Sequence, residues 1–215
     1  MKYKEFYLRI LSSIILILLC IFFIFNGSFL FNIFITICFF LTIYEWHEMS
    51  KNKVYNYLGY IFLIVSFYSA YSIRNVDENS LSKFVFVLTI CISTDLGGYI
   101  FGKIFNGPKL TKISPKKTYS GVFGGYIFAA MFTCLIMIAS KSFLSNNFIL
   151  NINNILMILL ISTVSQVGDI IISYFKRLSK IKDTGKLIPG HGGILDRIDG
   201  MIFAFPFYYT IILLN

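Results

Sequence analysis

"ILMILLISTVSQVGDIIISYFKR", residues 155–177, is an apolar run long enough to cross a bilayer, and a single carboxylate interrupts it. At about 1.5 Å per helical residue, some 20 apolar residues span the roughly 30 Å of hydrocarbon in a membrane. Helices satisfy all of their backbone polar groups internally, which lipid requires of any spanning segment. The stretch therefore predicts a transmembrane helix, and Asp169 is its exceptional residue.

The rest of the chain has the same character. Hydrophobic residues make up 57% of the 215 residues and charged residues 13%, with a mean hydropathy of +0.76. A soluble domain carries about twice that share of charge, so this class is excluded. We predict an all-α, polytopic integral membrane protein that forms a single transmembrane domain over residues 1–215. Apolar segments predict about seven transmembrane helices, near residues 8–25, 29–44, 55–73, 84–101, 121–140, 154–175 and 198–214.

Two of these segments have alternatives. The second, of sixteen residues, is short for a span, which predicts that it tilts, thins the bilayer or pairs with the first as a hairpin across residues 26–28. The first has the basic start and apolar run of a secretory signal. No small-x-small cleavage site follows it at the right place, and the chain enters a second apolar segment directly, so we expect it to remain as a span.

The basic residues predict the orientation. With the N-terminus in the cytoplasm, sixteen of the nineteen Lys and Arg residues lie on the cytoplasmic side, in the N-terminal tail and in connections 45–54, 102–120 and 176–197. This distribution follows the positive-inside rule at every connection. Topology thereby explains the net charge of +9, and no nucleic-acid partner is expected.

Two aspartates enter the predicted spans from the cytoplasmic side. Asp95 lies eight residues before Lys103, and Asp169 lies seven residues before Lys176. Both carboxylates therefore lie roughly 10–12 Å inside the ends of their helices. An ionised group at that depth costs on the order of 2–3 kcal/mol or more, and it normally faces a partner or a watery cavity.

Helical spacing indicates what these carboxylates face. A polar stripe descends the sixth span and consists of Ser165, Asp169, Ser173 and Lys176 or Arg177. The residues around Asp95 are small enough for the backbone of another helix to approach closely. They are Thr94, Gly97, Gly98 and Gly102. Asp196 and Asp199 share a face if the last helix has begun there. We predict a cleft, open to the cytosol and lined by carboxylates from three helices. The alternative is that an intramembrane aspartate only bridges helices.

Carboxylates beside cations and glycine turns suit the binding of phosphate and a hard cation. Mg²⁺ prefers oxygen ligands and is usually shared between a few carboxylates and substrate phosphates. Lys and Arg neutralise the remaining phosphate oxygens. "SPKKT", residues 114–118, offers two adjacent cations, and "PGHGG", residues 189–193, offers N–H groups that an anion can approach closely.

These loops also have simpler interpretations. Lys109 and Lys112 are typical of orientation signals that attract anionic lipid. His191 has either a structural hydrogen-bonding role or a direct one. If the nucleophile is itself a phosphate, no base is needed, which favours positioning or proton donation over proton abstraction.

A longer pattern begins at Ser173. It reads Ser-x-Phe-Lys-Arg, four residues, Lys-Asp-x-Gly, two residues, then Ile-Pro-x-His-Gly-Gly-Ile-x-Asp-Arg-Ile-Asp, and it ends at Asp199. This stretch resembles, without a mismatch, the signature of the phosphatidate cytidylyltransferases, the CDP-diacylglycerol synthases. With over a dozen fixed positions, the pattern is highly specific.

Further blocks resemble the same family. They are Asp95 with Tyr99, "SPKKTYSG" at residues 114–121, and Gly168 with Asp169, so the resemblance covers residues 90–205 as the catalytic region. Where the family usually has Trp-Glu after Lys-Lys-Thr, this chain has Tyr119-Ser120, which removes one carboxylate.

The resemblance implies a reaction in which CTP and phosphatidic acid give CDP-diacylglycerol and pyrophosphate, with Mg²⁺, alone or with a second cation, as cofactor. It implies metal binding by Asp169 and Asp196, supported by Asp95 and Asp199. It implies cations on the triphosphate: Lys176, Arg177, Lys182, Lys186 and Arg197, with Lys116 and Lys117 from the other loop. Further residues implied at the substrates are Ser173, Asp183, Gly192 and Gly193. The implied catalytic group is Asp169, Asp196, Lys176, Arg177, Arg197 and His191.

The resemblance also implies a homodimer in a bacterial-type inner membrane, with membrane lipid as a partner and the active site on the cytoplasmic face. Two rival functions remain. One is a related CTP-using enzyme that acts on an isoprenoid lipid or alcohol. The other is a transporter that uses Asp95 and Asp169 as coupling sites. A CDP-alcohol phosphatidyltransferase is not expected, because its Asp-Gly-x-x-Ala-Arg pattern is missing.

Overall fold

The computed structural model describes residues 2–75, 80–111, 113–139, 151–188 and 192–214, with side chains from residue 14 onward apart from residues 28 and 139. The secondary structure within these ranges is helical, with two isolated bridges and no strand. The helices are α1 (Lys2–Phe25), α2 (Ser28–Ser50), α3 (Tyr55–Asn75), α4 (Ser80–Phe105), α5 (Tyr119–Ala139), α6 (Ile152–Leu178), α7 (Leu195–Ile198) and α8 (Met201–Leu214). The all-α prediction is confirmed.

Four helices in the described ranges are long and apolar enough to cross a membrane. Their candidate spans are Phe29–Ser50, Ser80–Phe105, Tyr119–Ile138 and Ile152–Leu178. Shorter apolar stretches occur in α1, at Ile14–Phe25, and in α8, at Met201–Leu214. The chain is therefore a multi-pass helical membrane protein.

Two predicted boundaries differ from the structure. The prediction of a short second span is wrong, because α2 continues through Glu45 and has 23 residues. The last apolar helix, α8, begins at Met201 rather than at residue 198, since a turn at residues 199–200 separates α7 from α8. Asp196 lies in α7 and Asp199 in that turn, so α8 has not begun at either aspartate.

The chain divides into two compact units, of which the first comprises Met1–Tyr71 and Phe175–Ile198. Its helices α1 and α2 pack against each other, with the rings of Phe23 and Phe34 stacked at a centroid distance of 5.2 Å, which corresponds to the hairpin among the three alternatives for the second segment. Gly27 has a φ of 97°, a left-handed conformation that glycine adopts without the penalty of a Cβ. The side-chain amide of Asn26 donates to the carbonyl of Phe22 at 2.9 Å, beside the backbone N–H of Asn26 at 3.0 Å, at the end of α1.

An aromatic cluster in the first unit joins the last residues of α6 to α2 and α3. The ring centroids of Trp46 and Phe175 are 5.3 Å apart, and those of Tyr55 and Phe175 are 4.9 Å apart. Gly59 leaves the space that the Trp46 ring fills, because a Cβ there would overlap the indole. The cluster fixes the position of Phe175, and thereby that of the next residue, Lys176.

The second unit comprises Ser72–Tyr174 and Asp199–Asn215. Close packing of α4 against α5 depends on glycine, since a Cβ on Gly97 would collide with the carbonyl oxygen of Gly124. The prediction that small residues around Asp95 admit another backbone is confirmed. Thr94 donates a hydrogen bond to the Ser162 hydroxyl at 2.8 Å and joins α4 to α6.

The connection between α4 and α5 folds back on itself within the second unit. Leu110 N–H donates to the Lys117 carbonyl at 2.8 Å, and Lys117 N–H donates to the Ser114 carbonyl at 3.0 Å. These bonds form a tight turn around Lys116. As a result, both lysines of "SPKKT" lie immediately before the first turn of α5.

Candidate active site

A cavity of about 300 Å³ lies in the second unit, between α4, α5, α6 and the connection that precedes α5. Both predicted intramembrane aspartates, Asp95 and Asp169, line it. Its other lining residues with polar side chains are Thr94, Tyr99, Ser114, Lys116, Lys117, Thr118 and Gln166. Four of the candidate site residues predicted from sequence, two acids and two lysines, thus line a single cavity.

An ion pair crosses this cavity. Lys117 Nζ lies 2.5 Å from Asp169 Oδ2, and the same ammonium donates to the Gln166 carbonyl at 3.3 Å. The side chains of Lys117 and Asp169 keep 22% and 27% of their surface exposed. Ser173 donates a long hydrogen bond of 3.3 Å to Asp169 Oδ1, one turn further along the predicted polar stripe. Asp169 is therefore paired but remains accessible.

The second candidate carboxylate, Asp196, lies in the first unit and is much more enclosed. Lys176 Nζ donates to Asp196 Oδ1 at 2.8 Å, and only 10% and 7% of the two side chains are exposed. Asp196 Oδ2 accepts the backbone N–H groups of Thr184, at 2.7 Å, and Gly193, at 3.0 Å. One carboxylate thereby fastens both arms of the loop between α6 and α7.

These contacts determine the ionisation of Asp196. Burial acts to raise its pKa, but the hydrogen bond from Lys176 and the N–H groups of Gly193 and Thr184 favour the anion. The net result is a pKa below the usual value of 3.8. The side chain is therefore a fixed negative charge at neutral pH.

Lys176 is buried, whereas the other predicted phosphate-binding cations around this loop are exposed. The exposed ones are Arg177, Lys182, Lys186 and Arg197. Arg177 donates to the Ile181 carbonyl at 3.0 Å, which turns its guanidinium toward the end of α6. Asp183 is exposed as well.

Two glycines of the loop have particular reasons to be glycine. Gly192 has a φ of +89°, and a Cβ there would lie 2.8 Å from Asp196 Oδ2. The N–H of Gly193 was predicted to bind a substrate anion, and the anion it contacts in this structure is the protein's own Asp196. His191 lies outside the described residues. Asp199 is buried in the second unit, where its Oδ1 accepts the N–H of Gly200 at 3.0 Å.

The donor chemistry of the cavity fits Mg²⁺. Its lining offers two carboxylates together with hydroxyl and amide oxygens, all hard ligands. No cluster of three or more His, Cys, Asp or Glu side chains occurs in the described ranges. This favours an ion shared with substrate phosphates over one held by protein alone. Asp196 has less capacity to bind a metal ion, because three donors already use most of the roughly four acceptor positions of a carboxylate.

Sequence reasoning missed Glu45, a nearly fully buried carboxylate in α2 with 1% of its surface exposed. It accepts the N–H groups of Ile194, at 2.9 Å, and Leu195, at 2.8 Å, and the hydroxyl of Thr184 at 3.1 Å. The sequence signal for Glu45 is an acid that directly follows the apolar run of the second segment. It was missed because the predicted second span ended at residue 44.

Taken together, the fold and these two sites define a multi-pass helical membrane protein with cation-paired carboxylates and exposed cations beside them. Comparison with known proteins agrees with that class. The model of the "Cytidylyltransferase family" matches residues 54–214. This chain belongs to that family.

Named relatives extend the match over nearly the whole chain. The phosphatidate cytidylyltransferase of Rickettsia typhi is 34% identical over 213 residues, which cover 97% of this chain and 92% of that protein. The phosphatidate cytidylyltransferase of Bacillus subtilis is also 34% identical, over 158 residues that cover 73% of this chain and 57% of that protein. That of Brucella melitensis is 37% identical over 150 residues, or 66% of this chain and 53% of that protein.

Proposed function

We propose that this chain is a phosphatidate cytidylyltransferase, which transfers CMP from CTP to phosphatidic acid and gives CDP-diacylglycerol and pyrophosphate. The observation that carries this proposal is the uninterrupted signature at residues 173–199, in a chain 34% identical over 97% of its length to a protein of that name. The activity serves phospholipid biosynthesis, since its product is the activated form of a membrane lipid.

In this reaction a phosphate oxygen of phosphatidic acid attacks the α-phosphorus of CTP. The bond from that phosphorus to the oxygen bridging the α- and β-phosphates breaks, and pyrophosphate leaves with the bonding electrons. Both reactants are anionic, so the enzyme must neutralise charge and hold the attacking and leaving oxygens in line. No general base is required, because the nucleophile is already an anion at neutral pH.

The cavity of the second unit supplies one part of this chemistry. We propose that Lys116 and Lys117 bind phosphate oxygens, which compete with Asp169 for the Lys117 ammonium. The partly exposed ion pair supports this role, since an accessible charge exchanges partners at lower cost than a buried one. Ser173 supports the orientation of Asp169 through its 3.3 Å hydrogen bond.

The signature loop of the first unit supplies the other part. Its exposed cations are suited to the triphosphate: Arg177, Lys182, Lys186 and Arg197. Lys176 neutralises Asp196 and thereby fixes the loop that carries Lys182 and Lys186. Asp183, Gly192 and Gly193 belong to the same substrate-binding segment in this proposal, and His191 donates a proton or positions a phosphate.

Mg²⁺, alone or with a second cation, is the cofactor in this proposal, and when bound it would neutralise charge on the phosphates. Asp95 and Asp169 would hold it in the cavity. The signature also implies metal binding by Asp196 and Asp199, and Asp196, whose oxygens already accept three hydrogen bonds, has less capacity left for it. In this structure the ammonium of Lys117 neutralises Asp169.

We further propose seven membrane crossings, with α1, α3 and α8 added to the four candidate spans, and an active cleft at the cytoplasmic face of the inner membrane. The asymmetric distribution of Lys and Arg supports this orientation. The chain would act as a single transmembrane domain with residues 90–205 as its catalytic region. A homodimer and a lateral supply of phosphatidic acid from the surrounding lipid complete the proposal.

The test is pyrophosphate release by the purified protein in lipid–detergent micelles. CTP and phosphatidic acid together should give release that depends on Mg²⁺ and disappears with EDTA. Each substrate alone should give none. Labelled CTP with a polyprenyl acceptor serves as the comparison: transfer to that acceptor, and none to phosphatidic acid, would overturn the proposed substrate.

A further inference from the structure

Glu45 combines burial with an unusual set of partners. Charged side chains are almost never fully buried unless they are paired, and Glu45 retains 1% of its surface. The bonds that hold it come from neutral donors, two backbone N–H groups and one hydroxyl. These donors belong to the loop between α6 and α7 and to the first residue of α7, more than 130 residues further along the chain.

Glu45 contacts both arms of that loop. Thr184 belongs to the arm that leaves α6, whereas Ile194 and Leu195 belong to the arm that enters α7. Asp196 binds the same two arms through the N–H groups of Thr184 and Gly193. The signature loop is thus held between two carboxylates, one from α2 and one of its own.

At two glycines of the signature, the Glu45 carboxylate occupies the space that a Cβ would need. A Cβ on Gly185 would lie 2.7 Å from Glu45 Oε1, and a Cβ on Gly193 would overlap Glu45 Oε2. Real Cβ atoms do not approach oxygen that closely, so alanine at either position displaces the carboxylate or the loop. The signature and the end of α2 therefore fit each other as a matched pair.

We propose that Glu45 is a positioning residue for the cytidylyl transfer, which fixes the loop that carries Lys182 and Lys186 in the geometry that binds the CTP triphosphate. The inference rests on the proposed function. It adds a residue outside the signature segment, on a different helix, that acts on substrate only through the loop.

The substitution that tests this is Glu45→Gln. Glutamine has nearly the same volume but only one acceptor oxygen, so it cannot accept from Ile194, Leu195 and Thr184 in the geometry that two carboxylate oxygens allow. Glu48→Gln is the matched control, because it removes the same charge from the same helix at an exposed position.

The kinetic readout separates positioning from a loss of folded protein. Glu45→Gln should raise the KM for CTP about tenfold and lower kcat less than about threefold, with the KM for phosphatidic acid unchanged. A residue that only stabilises the fold would lower the maximal rate and leave both KM values at the wild-type level. That result, or an unchanged KM for CTP, would overturn the inference.

A second readout does not depend on activity. Trypsin cleaves after Lys182 and Lys186, which are exposed, and cleavage should accelerate at least severalfold in Glu45→Gln but not in Glu48→Gln. Equal cleavage rates in all three proteins would refute the claim that Glu45 holds the loop. If the wild-type protein releases no pyrophosphate from CTP and phosphatidic acid, the proposed function fails, and the cleavage rates still decide whether Glu45 anchors the segment.

A double substitution checks the fit between Glu45 and the glycine. Gly185→Ala should impair CTP binding by displacing Glu45, so adding Glu45→Gln should cost little more than the stronger single change. Fully multiplicative effects on the KM for CTP would mean that the two residues act independently and would contradict the matched-pair argument.

Discussion

Asp169 and Asp196 both pair with a lysine, yet their surroundings differ, and the difference predicts a different role for each carboxylate. Asp169 lies in the cavity of the second unit with 27% of its side chain exposed, and its partner Lys117 keeps 22%. Asp196 retains 7% exposure and accepts three hydrogen bonds. The first carboxylate can exchange its partner for a substrate or an ion, whereas the second is a fixed part of the loop's architecture.

The same residue pair, Lys with Asp, thus serves two purposes according to burial. A buried charge that loses its partner cannot be rescued by water, so its removal is felt mainly in stability. An accessible charge is solvated in either state, so its removal is felt mainly in the reaction. Substitutions at each site test this contrast.

Asp169→Asn should have the largest effect on activity. The change keeps the shape of the side chain and removes the charge that binds Lys117, which we expect to lower kcat/KM by about 10²–10³-fold. The unfolding temperature should change little because the site is accessible. The measurement is pyrophosphate release together with thermal unfolding in the same detergent, and a marked loss of stability without loss of rate would reverse the assignment of the two carboxylates.

Asp196→Asn should have the largest effect on stability. Removing one partner of a buried pair costs about 3–5 kcal/mol, because the other charge remains unpaired. The double variant with Lys176→Met should be more stable than Asp196→Asn alone, since it leaves no isolated ammonium. Thermal unfolding of the two variants decides this, and a double variant that is less stable than either single one would show that the pair is not the reason.

The contrast between these sites was only partly visible in the sequence. Apolar length and the position of Asp95 and Asp169 predicted the helices and the acids of the cavity, because helical periodicity is local. Enclosure of Asp196 was not predictable, since it depends on Thr184 and Gly193 closing around it. The partners of Glu45 were not predictable for the same reason: its donors lie 139 to 150 residues away, and no local pattern encodes such a contact.

Lys117→Met should have an intermediate effect. It removes the cation that neutralises Asp169 and, in our proposal, binds phosphate, and hydrogen bonds to charged groups contribute about 1.5–3 kcal/mol. We expect kcat/KM to fall at least tenfold. The neighbouring Lys116→Met is the matched control: this side chain is exposed and lines the same cavity, so a loss of only a few-fold is expected. Equal losses would mean that the ion pair with Asp169 contributes nothing specific.

The smallest effect should appear in acid. The folded protein holds the pKa of Asp196 below the ordinary 3.8, because the donors from Lys176, Gly193 and Thr184 outweigh the burial that would raise it. A depressed folded pKa means that the carboxylate's contribution to stability is complete above the unfolded value and is lost as the pH falls through the folded one. Between pH 7 and 5 this group should therefore leave the unfolding temperature unchanged. Below about pH 4 the wild-type protein should lose stability more steeply than Asp196→Asn, which has no proton to gain at that position. Parallel curves for the two proteins down to the lowest pH at which both remain folded would show that Asp196 is not held as the anion.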